Sequence, residues 1–395
     1  MWEQILALLN RRRMGLEIPL ELHGIYDPGE YTKQQLYQKT NDRFSRIAGT
    51  FSFIVSLLVL LFGVLGMLDE RLREHASGFL LPLVFFLILM LVSELISIPF
   101  SLYGTFVIEE RFGFNKSTHA LFAADCVKSI LLKLIIGGLL LFVILVIYSY
   151  TGVYFWLFAW AAAALISIVI SLFYSEWIVP LFNKQTPLEE GELRNAIESF
   201  VKQAGFYAGN IYVMDASKRS TKANAYFTGF GKKKRIVLFD TLVKQLTVKE
   251  TVAVLAHETG HYKKKHVIFN LLISMLTLGL TFWLMSFFIN NHALAQALGG
   301  TMPSFHLGIT GFFCIFAPVS VLIGLAANGL SRKFEYQADA FTVEYGLGEE
   351  QISALKKISS QALSNLNPHP AVVFCNYSHP ALLQRIRRIR KIMGL

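Results

Sequence analysis

The stretch TVKETVAVLAHETGHYKKKHVIFNLLISMLTLGLTFWLMSFFI, Thr247 to Ile289, holds two readings in succession. Its second half, His266 to Ile289, is an apolar run that follows three lysines. At 1.5 Å per residue such a run is long enough to cross a bilayer. Its first half opens with Thr-x-x-Glu ahead of an apolar run, a capping box that starts a helix. That helix contains His257-Glu258-Thr259-Gly260-His261, an H-E-x-x-H sequence. Histidines at i and i+4 on a helix face the same way. Two neutral imidazoles so placed can bind one Zn²⁺, and Glu258 then reaches a water beside the ion as general base. A hydrolytic metal motif therefore sits on a helix that leads straight into a membrane span.

The rest of the chain agrees with a membrane setting. Of 395 residues 54% are hydrophobic and only 16% charged, well below the usual quarter for a soluble protein. This excludes a disordered chain and an ordinary soluble enzyme. Six spans are expected: Ile47 to Leu68, Gly78 to Leu102, Ser129 to Tyr148, Val153 to Ile178, His266 to Ile289, and Gly308 to Leu330. The third and fourth, joined around Tyr150, read as an antiparallel hairpin. The second contains Glu94 and Pro99. An intramembrane carboxylate is either functional or paired on a protein-facing side, and both readings stay open for Glu94. Cys126, Cys314 and Cys375 are scattered, with no CxxC pair, which excludes a disulfide framework and a cysteine zinc site. The first residues place an apolar stretch before Arg11, Arg12 and Arg13, the wrong order for a signal peptide, and read as an interfacial helix or a solvated tail.

Lysine and arginine set the expected orientation. They crowd the N-terminal segment, the loop from Glu109 to Lys128, the segment Pro180 to Lys265 and the C-terminal RIRRIRKIMGL. The loop Asn290 to Leu307 has none. With six spans the rich segments share one side, which makes that side cytoplasmic, with both termini and the motif on it. The membrane is then a bacterial inner membrane or the endoplasmic reticulum. The net charge of +10 is mostly this bias. The run Lys232 to Arg235 reads as a solvated hairpin turn. It lacks interleaved aromatics, so no nucleic-acid partner is expected.

The fold class expected is mainly α: a polytopic helical membrane protein with a small α/β zinc-protease domain on the cytoplasmic side. The expected division is 1–46 as N-terminal segment, 47–179 as four spans, 180–265 as protease domain, 266–330 as two spans, and 331–395 as C-terminal catalytic segment. In the protease domain, Glu189 to Ala204 reads as an amphipathic helix, with Leu193, Ile197, Phe200 and Val201 on one stripe. Asn210 to Met214, Ala223 to Phe227 and Arg235 to Phe239 read as short strands. Ala381 to Met393 reads as a basic amphipathic helix lying on anionic lipid.

Two histidines leave a zinc site incomplete, because a catalytic site needs a third protein ligand and an open position. Glu335 and Asp339 are again i and i+4, just past the last span. Glu335 is the candidate ligand and Asp339 a candidate acceptor behind a ligand histidine. An exposed helix with two unpaired acids is the alternative. The zinc would lie at the membrane boundary, since His261 is five residues before His266. Lys263, Lys264 and Lys265 could snorkel to headgroups there.

The sequence also resembles the type I integral-membrane CAAX prenyl endopeptidases, zinc proteases of the HExxH-plus-Glu kind, from about Tyr26 to Arg390. The resemblance rests on GTFVIEERFGFNKST (Gly104 to Thr118), PLFNKQTPLEEGEL (Pro180 to Leu193), KRSTKANAYFTG (Lys218 to Gly229), AHETGH, RKFEYQADAF and YSHPALLQRI (Tyr377 to Ile386). It implies one Zn²⁺ per chain held by His257, His261 and Glu335, with Glu258 as general base. It further implies that Asn224, Ala225 and Tyr226 pair with the substrate backbone. His379 and Arg385 are implied to stabilise the oxyanion. Without the resemblance His379 stands no higher than His369, since both precede a proline. The implied partners are the lipid bilayer and peptide or protein substrates, with prenylated CaaX-like ends foremost. Members usually carry a further span ahead of the first one found here, and many have Leu or Ile before the motif glycine and Trp after its second histidine. Two alternatives stay open: a membrane quality-control protease without a prenyl requirement, and a transporter or channel with a structural zinc. The open fourth position and Glu258 speak against the last.

Overall fold

The structure, a computed structural model, describes residues 2–15, 17–205, 210–228 and 235–395. In chain order the helices begin with α1 (Trp2–Arg11), α2 (Pro28–Leu61), α3 (Val64–Arg73), α4 (Leu80–Tyr103), the short α5 (Glu110–Phe112), α6 (His119–Thr151), α7 (Phe155–Phe173) and the short α8 (Val179–Phe182). The extramembrane unit follows, with β1 (Gln185–Pro187), α9 (Glu192–Gln203), β2 (Asn210–Met214), β3 (Ala225–Thr228), β4 (Arg235–Phe239), α10 (Asp240–Gln245) and α11 (Val248–Lys263). Then come α12 (His266–Ser286), α13 (His292–Ala297), α14 (Phe305–Glu344), α15 (Gly348–Gln361), α16 (Pro370–Asn376) and α17 (Leu382–Met393).

Among the described residues, five helical stretches are long and apolar enough to cross a membrane: Pro28–Leu61, Leu80–Phe112, His119–Phe182, His266–Ser286 and Phe305–Glu344. The third is 64 residues long, far more than one crossing needs. It doubles back at Gly152, whose φ of +52° only glycine adopts without strain. Ile144 and Leu145 of α6 then pack with Phe155 and Ala159 of α7 in one buried cluster. The expected hairpin is thus present, and with it the described residues hold six segments long enough to cross, as expected. The first span differs from expectation at its end. It stops at Leu61, because Gly63 turns the chain at φ +60° into the separate helix α3.

Glu94 of α4 pairs with Lys133 of α6, a charge inside the third span that the apolar pattern had hidden. The intramembrane carboxylate is therefore the paired case. The extramembrane sheet has the order β1-β2-β4-β3, with β2 and β4 parallel and the other pairs antiparallel. β1 was not expected, being only three residues long and ending on a proline. β3 starts two residues later than expected and is an edge strand. Its Ala225 is buried with Ile197, Phe200 and Val201 of α9 and with Leu255 and Ala256 of α11. The sheet and α9 thus share one core with the motif helix. Apart from Arg235, which opens β4, the basic run from Lys232 falls on 229–234, outside the described residues.

The C-terminal helix is not laid on lipid. The apolar side of α17 is buried: Ile386 and Ile389 pack with Leu22, Ile25, Tyr26 and Ile352. Arg387 pairs with Glu21 on the outer side. An apolar helix face takes the nearest apolar surface, and here the folded N-terminal segment supplies it.

Candidate active site

Helix α11 begins where the capping box put it. Thr247 Oγ1 accepts from Glu250 N, and Glu250 Oε2 accepts from Thr247 N. The Glu250 carboxylate also accepts from Ser353 Oγ at 2.6 Å and Lys357 Nζ at 2.8 Å on α15. Burial pushes this acid up, but those donors outweigh it and bring its pKa down to about 2. Helix α14 runs unbroken out of the membrane past Pro318, delivering Glu335 and Asp339 to α11. The two helices meet at Gly260. A Cβ there would lie 3.0 Å from Phe341 Cβ and 3.1 Å from Ala338 Cα, so the motif glycine permits the close crossing.

At that crossing three donors converge. His257 Nε2 lies 3.2 Å from His261 Nε2. Glu335 Oε2 lies 3.3 Å from His257 Nε2, and Glu335 Oε1 lies 3.3 Å from His261 Nε2. Two corners of a tetrahedron with metal–ligand bonds of about 2.05 Å are roughly 3.3 Å apart. Glu335 Oε2 is buried without a hydrogen bond. A buried carboxylate facing two imidazole nitrogens at tetrahedral spacing, with one oxygen lacking a hydrogen bond, fits a divalent metal ion. Glu258 is half-buried beside them, and its carboxylate takes no hydrogen bond or ion pair among the described residues.

Each histidine is held from behind. His257 Nδ1 lies 3.0 Å from Asp339 Oδ1, which accepts its N–H and turns Nε2 toward Glu335. Burial and the Arg385 charge push the His257 imidazolium down, but bonds to Asp339 and Glu335 prevail and lift it to about 9. Arg385 of α17 grips Asp339 with both prongs, Nε–Oδ2 at 2.9 Å and Nη2–Oδ1 at 2.6 Å. Its third nitrogen, Nη1, lies 3.5 Å from Glu335 Oε2. Burial lowers the Arg385 pKa, yet the Asp339 charge keeps the guanidinium above its usual value.

His261 is held by a residue the sequence reading missed. The helix does not continue into α12; Lys265 breaks it at φ +60°. That turn swings His266 back, with Nδ1 3.1 Å from His261 Nδ1 and Nε2 2.8 Å from Gln337 Oε1. The amide oxygen accepts the Nε2–H, so Nδ1 of His266 accepts the Nδ1–H of His261 and frees His261 Nε2. A histidine opening an apolar span, nine residues after His257, was the available signal. Lys263 is not at the headgroups either; it donates to Gly205 O.

His379 and His369 part company. His379 is largely exposed, with Nε2 3.3 Å from Glu335 Oε1. His369 accepts from Ala371 N as the N-cap of α16. Asn224 is exposed just before the edge strand, Ala225 is buried, and Tyr226 is half-buried.

Two family models match this chain. One, described as the CAAX prenyl protease N-terminal region with five membrane helices, covers residues 8–184. The other, peptidase family M48, covers residues 187–393. The chain belongs to peptidase family M48. It is therefore a metallopeptidase, built into a membrane. Within 8–184 this M48 chain has four helices of spanning length, α2, α4, α6 and α7. It is 34% identical to the CAAX prenyl protease 1 homolog of Mus musculus, over 99% of this chain and 92% of that protein. It is 32% identical to CAAX prenyl protease 1 of Saccharomyces cerevisiae, over 94% of this chain and 88% of that one. The crystal structure of S. mikatae Ste24p superposes with a TM-score of 0.92 at 31% identity, over 98% of this chain and 95% of that one.

Proposed function

We propose that this M48 peptidase is a Zn²⁺-dependent endopeptidase that cuts membrane-held proteins near a prenylated, CaaX-like C-terminus. The observation that carries the metal part is the set of three donors at tetrahedral spacing, one of which has a buried oxygen without a hydrogen bond. Imidazole and carboxylate donors in this number suit zinc. The prenyl part draws on the CAAX prenyl protease relatives and on the site's place at the foot of two spans.

His257, His261 and Glu335 would hold the ion. When bound, it supplies Lewis acidity, polarising the peptide carbonyl and making a water acidic enough to ionise near neutral pH. Glu258 takes the proton of the attacking water on its free carboxylate and passes it to the amine that leaves. His379 donates Nε2–H where negative charge grows on the carbonyl oxygen. Arg385, expected beside it, has its forked face committed to Asp339 and its Nη1 near Glu335 Oε2, so it chiefly fixes the groups that would hold the ion. The free edge of β3, entered at Asn224 and running through Ala225 and Tyr226, receives the extended peptide backbone. The division into membrane and protease segments follows the same logic: 180–265 and 331–395 supply the chemistry, and 47–179 and 266–330 hold the substrate's anchor. The face carrying the site is the lysine- and arginine-rich one and is cytoplasmic by the positive-inside rule. A reporter fused after Leu395 then reads cytoplasmic, and a non-cytoplasmic reading overturns the orientation.

The test uses matched peptides, prenylated and unprenylated, with and without chelator. Cleavage of the prenylated peptide, abolished by chelator and restored by Zn²⁺, is the expected result. Equal cleavage of both peptides replaces the prenyl reading with general membrane-protein turnover. Cleavage that survives metal removal overturns the zinc assignment.

A further inference from the structure

Two spans end in an unusual way. After α4 the helix widens into a π-helical turn, Gly104–Glu109, and after α7 into another, Tyr174–Ile178. Such turns are rare and re-aim the side chains that follow them; they cluster at functional sites. Each carries a glutamate; one reaches the segment just before β3, and the other reaches β4, the strand paired with β3. Glu109 Oε2 lies 2.8 Å from Lys222 Nζ, and Glu109 Oε1 accepts from Tyr37 OH at 2.6 Å. Lys222 Nζ also sits 4.8 Å from the Phe114 ring centre. Glu176 Oε1 lies 2.9 Å from Arg235 Nη2, and the guanidinium sits 5.2 Å from the Tyr212 ring centre.

Lys222 lies three residues before Ala225, the first residue of β3. Arg235 pairs across the ladder with Thr228, the last residue of β3. One span therefore holds the start of the edge strand and another holds its end. The approach to β3 is tied further by Arg219, which is bidentate to Asp125 of α6 at 2.8 and 2.9 Å, and by a backbone bridge between Asn115 and Ser220. Partly exposed ion pairs of this kind add little stability, so their use lies in position.

We propose that Glu109–Lys222 and Glu176–Arg235 form a two-point clamp. It fixes β3 relative to the spans and so sets which peptide bond of a membrane-anchored substrate reaches Glu258. The clamp rests on the reading of β3 as the strand that receives substrate. A substrate tethered in the bilayer has a fixed origin. Each residue of extended chain advances about 3.3 Å, so a small shift of the strand presents a neighbouring bond. A slip of one residue also turns every side chain to the other face.

The experiment uses the full-length, metal-loaded protein and a prenylated peptide with a free C-terminal carboxylate. Lys222→Met and Glu109→Gln are compared with the charge swap Glu109→Lys/Lys222→Glu. Arg194→Ala, which removes an ion-pair residue of α9 outside the clamp, is the control. Metal content, kcat and KM are measured, and the products are weighed by mass spectrometry. The expected result is unchanged metal content, a fall of about tenfold to a hundredfold in kcat/KM, and product cut at a neighbouring bond. The swap restores the single wild-type cut, and Arg194→Ala changes neither quantity. A single correct product at wild-type kcat/KM in both clamp variants overturns the proposal. A second peptide, N-methylated at the amide due to pair with β3, separates the two failures. If N-methylation leaves KM unchanged, the strand reading fails and takes the clamp with it. If it raises KM while the clamp variants cut normally, the clamp alone fails.

Discussion

Helix α14 carries a histidine–carboxylate–arginine cluster near each end, and the two behave differently. Near its start, His306 Nε2 lies 2.6 Å from Asp69 Oδ1, and Asp69 Oδ2 accepts from Arg73 at 2.9 Å. Both Asp69 and His306 are fully buried. Twenty-nine residues later, roughly 44 Å along the axis, Glu335 faces His257 and His261 while Asp339 holds Arg385. The residue types match. At the first cluster one histidine and one arginine use both oxygens of Asp69, and nothing converges on a common point. At the second, three donors converge and one oxygen of Glu335 takes no hydrogen bond. A metal-binding group is marked by donors without partners, and a structural one by partners that close on each other.

The largest effect that sharpens this contrast is expected at the closed cluster. Asp69→Ala leaves His306 and Arg73 without their shared partner and should cost about 3–5 kcal/mol. Thermal unfolding in detergent measures it, and the metal content of the remaining folded protein should be unchanged. Loss of metal there would mean that the two ends of α14 are not independent.

A smaller effect is expected from His266→Phe, which removes the group holding His261. Metal affinity, read by competition with a chelator, should fall by about tenfold to a hundredfold. His306→Phe should leave it alone. Equal effects from the two would erase the distinction between the clusters.

The smallest expected effect is at the start of α11. Glu250→Ala should lower stability by about 1–2 kcal/mol by removing the capping box and the tie to α15. The Glu250 pKa is depressed from 4.5 to about 2 in the fold. Its contribution is therefore complete above pH 4.5 and is lost as pH falls toward 2. The gap in melting temperature between variant and wild type should shrink over that window. A gap that widens on acidification would contradict the ion pair with Lys357.

These contrasts also show what the sequence could reveal. That His257 and His261 share a face was legible because residues at i and i+4 on one helix do so, and Glu335 and Asp339 were legible together for the same reason. The spans were legible from length and apolarity. Asp69, Lys133, His266 and Gln337 were not, because each finds its partner on another element. The break at Lys265 hid His266, since an unbroken helix would have carried its ring away from His261. Arg385 was placed at the site, but its grip on Asp339 could be seen only once α17 had packed against α14. The apolar face of α17 was plain in the pattern; what covers it was not, because lipid and the Leu22–Tyr26 segment satisfy the same stripe.

The central claim is that the open cluster is a zinc site with Glu258 as its base. The most direct measurement is Glu258→Gln, with bound zinc and peptide cleavage determined on the same preparation. Glutamine keeps the shape but cannot take the proton. The account predicts one zinc per chain, as in the wild type, and a loss of about 10²–10⁴-fold in cleavage rate. Cleavage at the wild-type rate with zinc in place would contradict it.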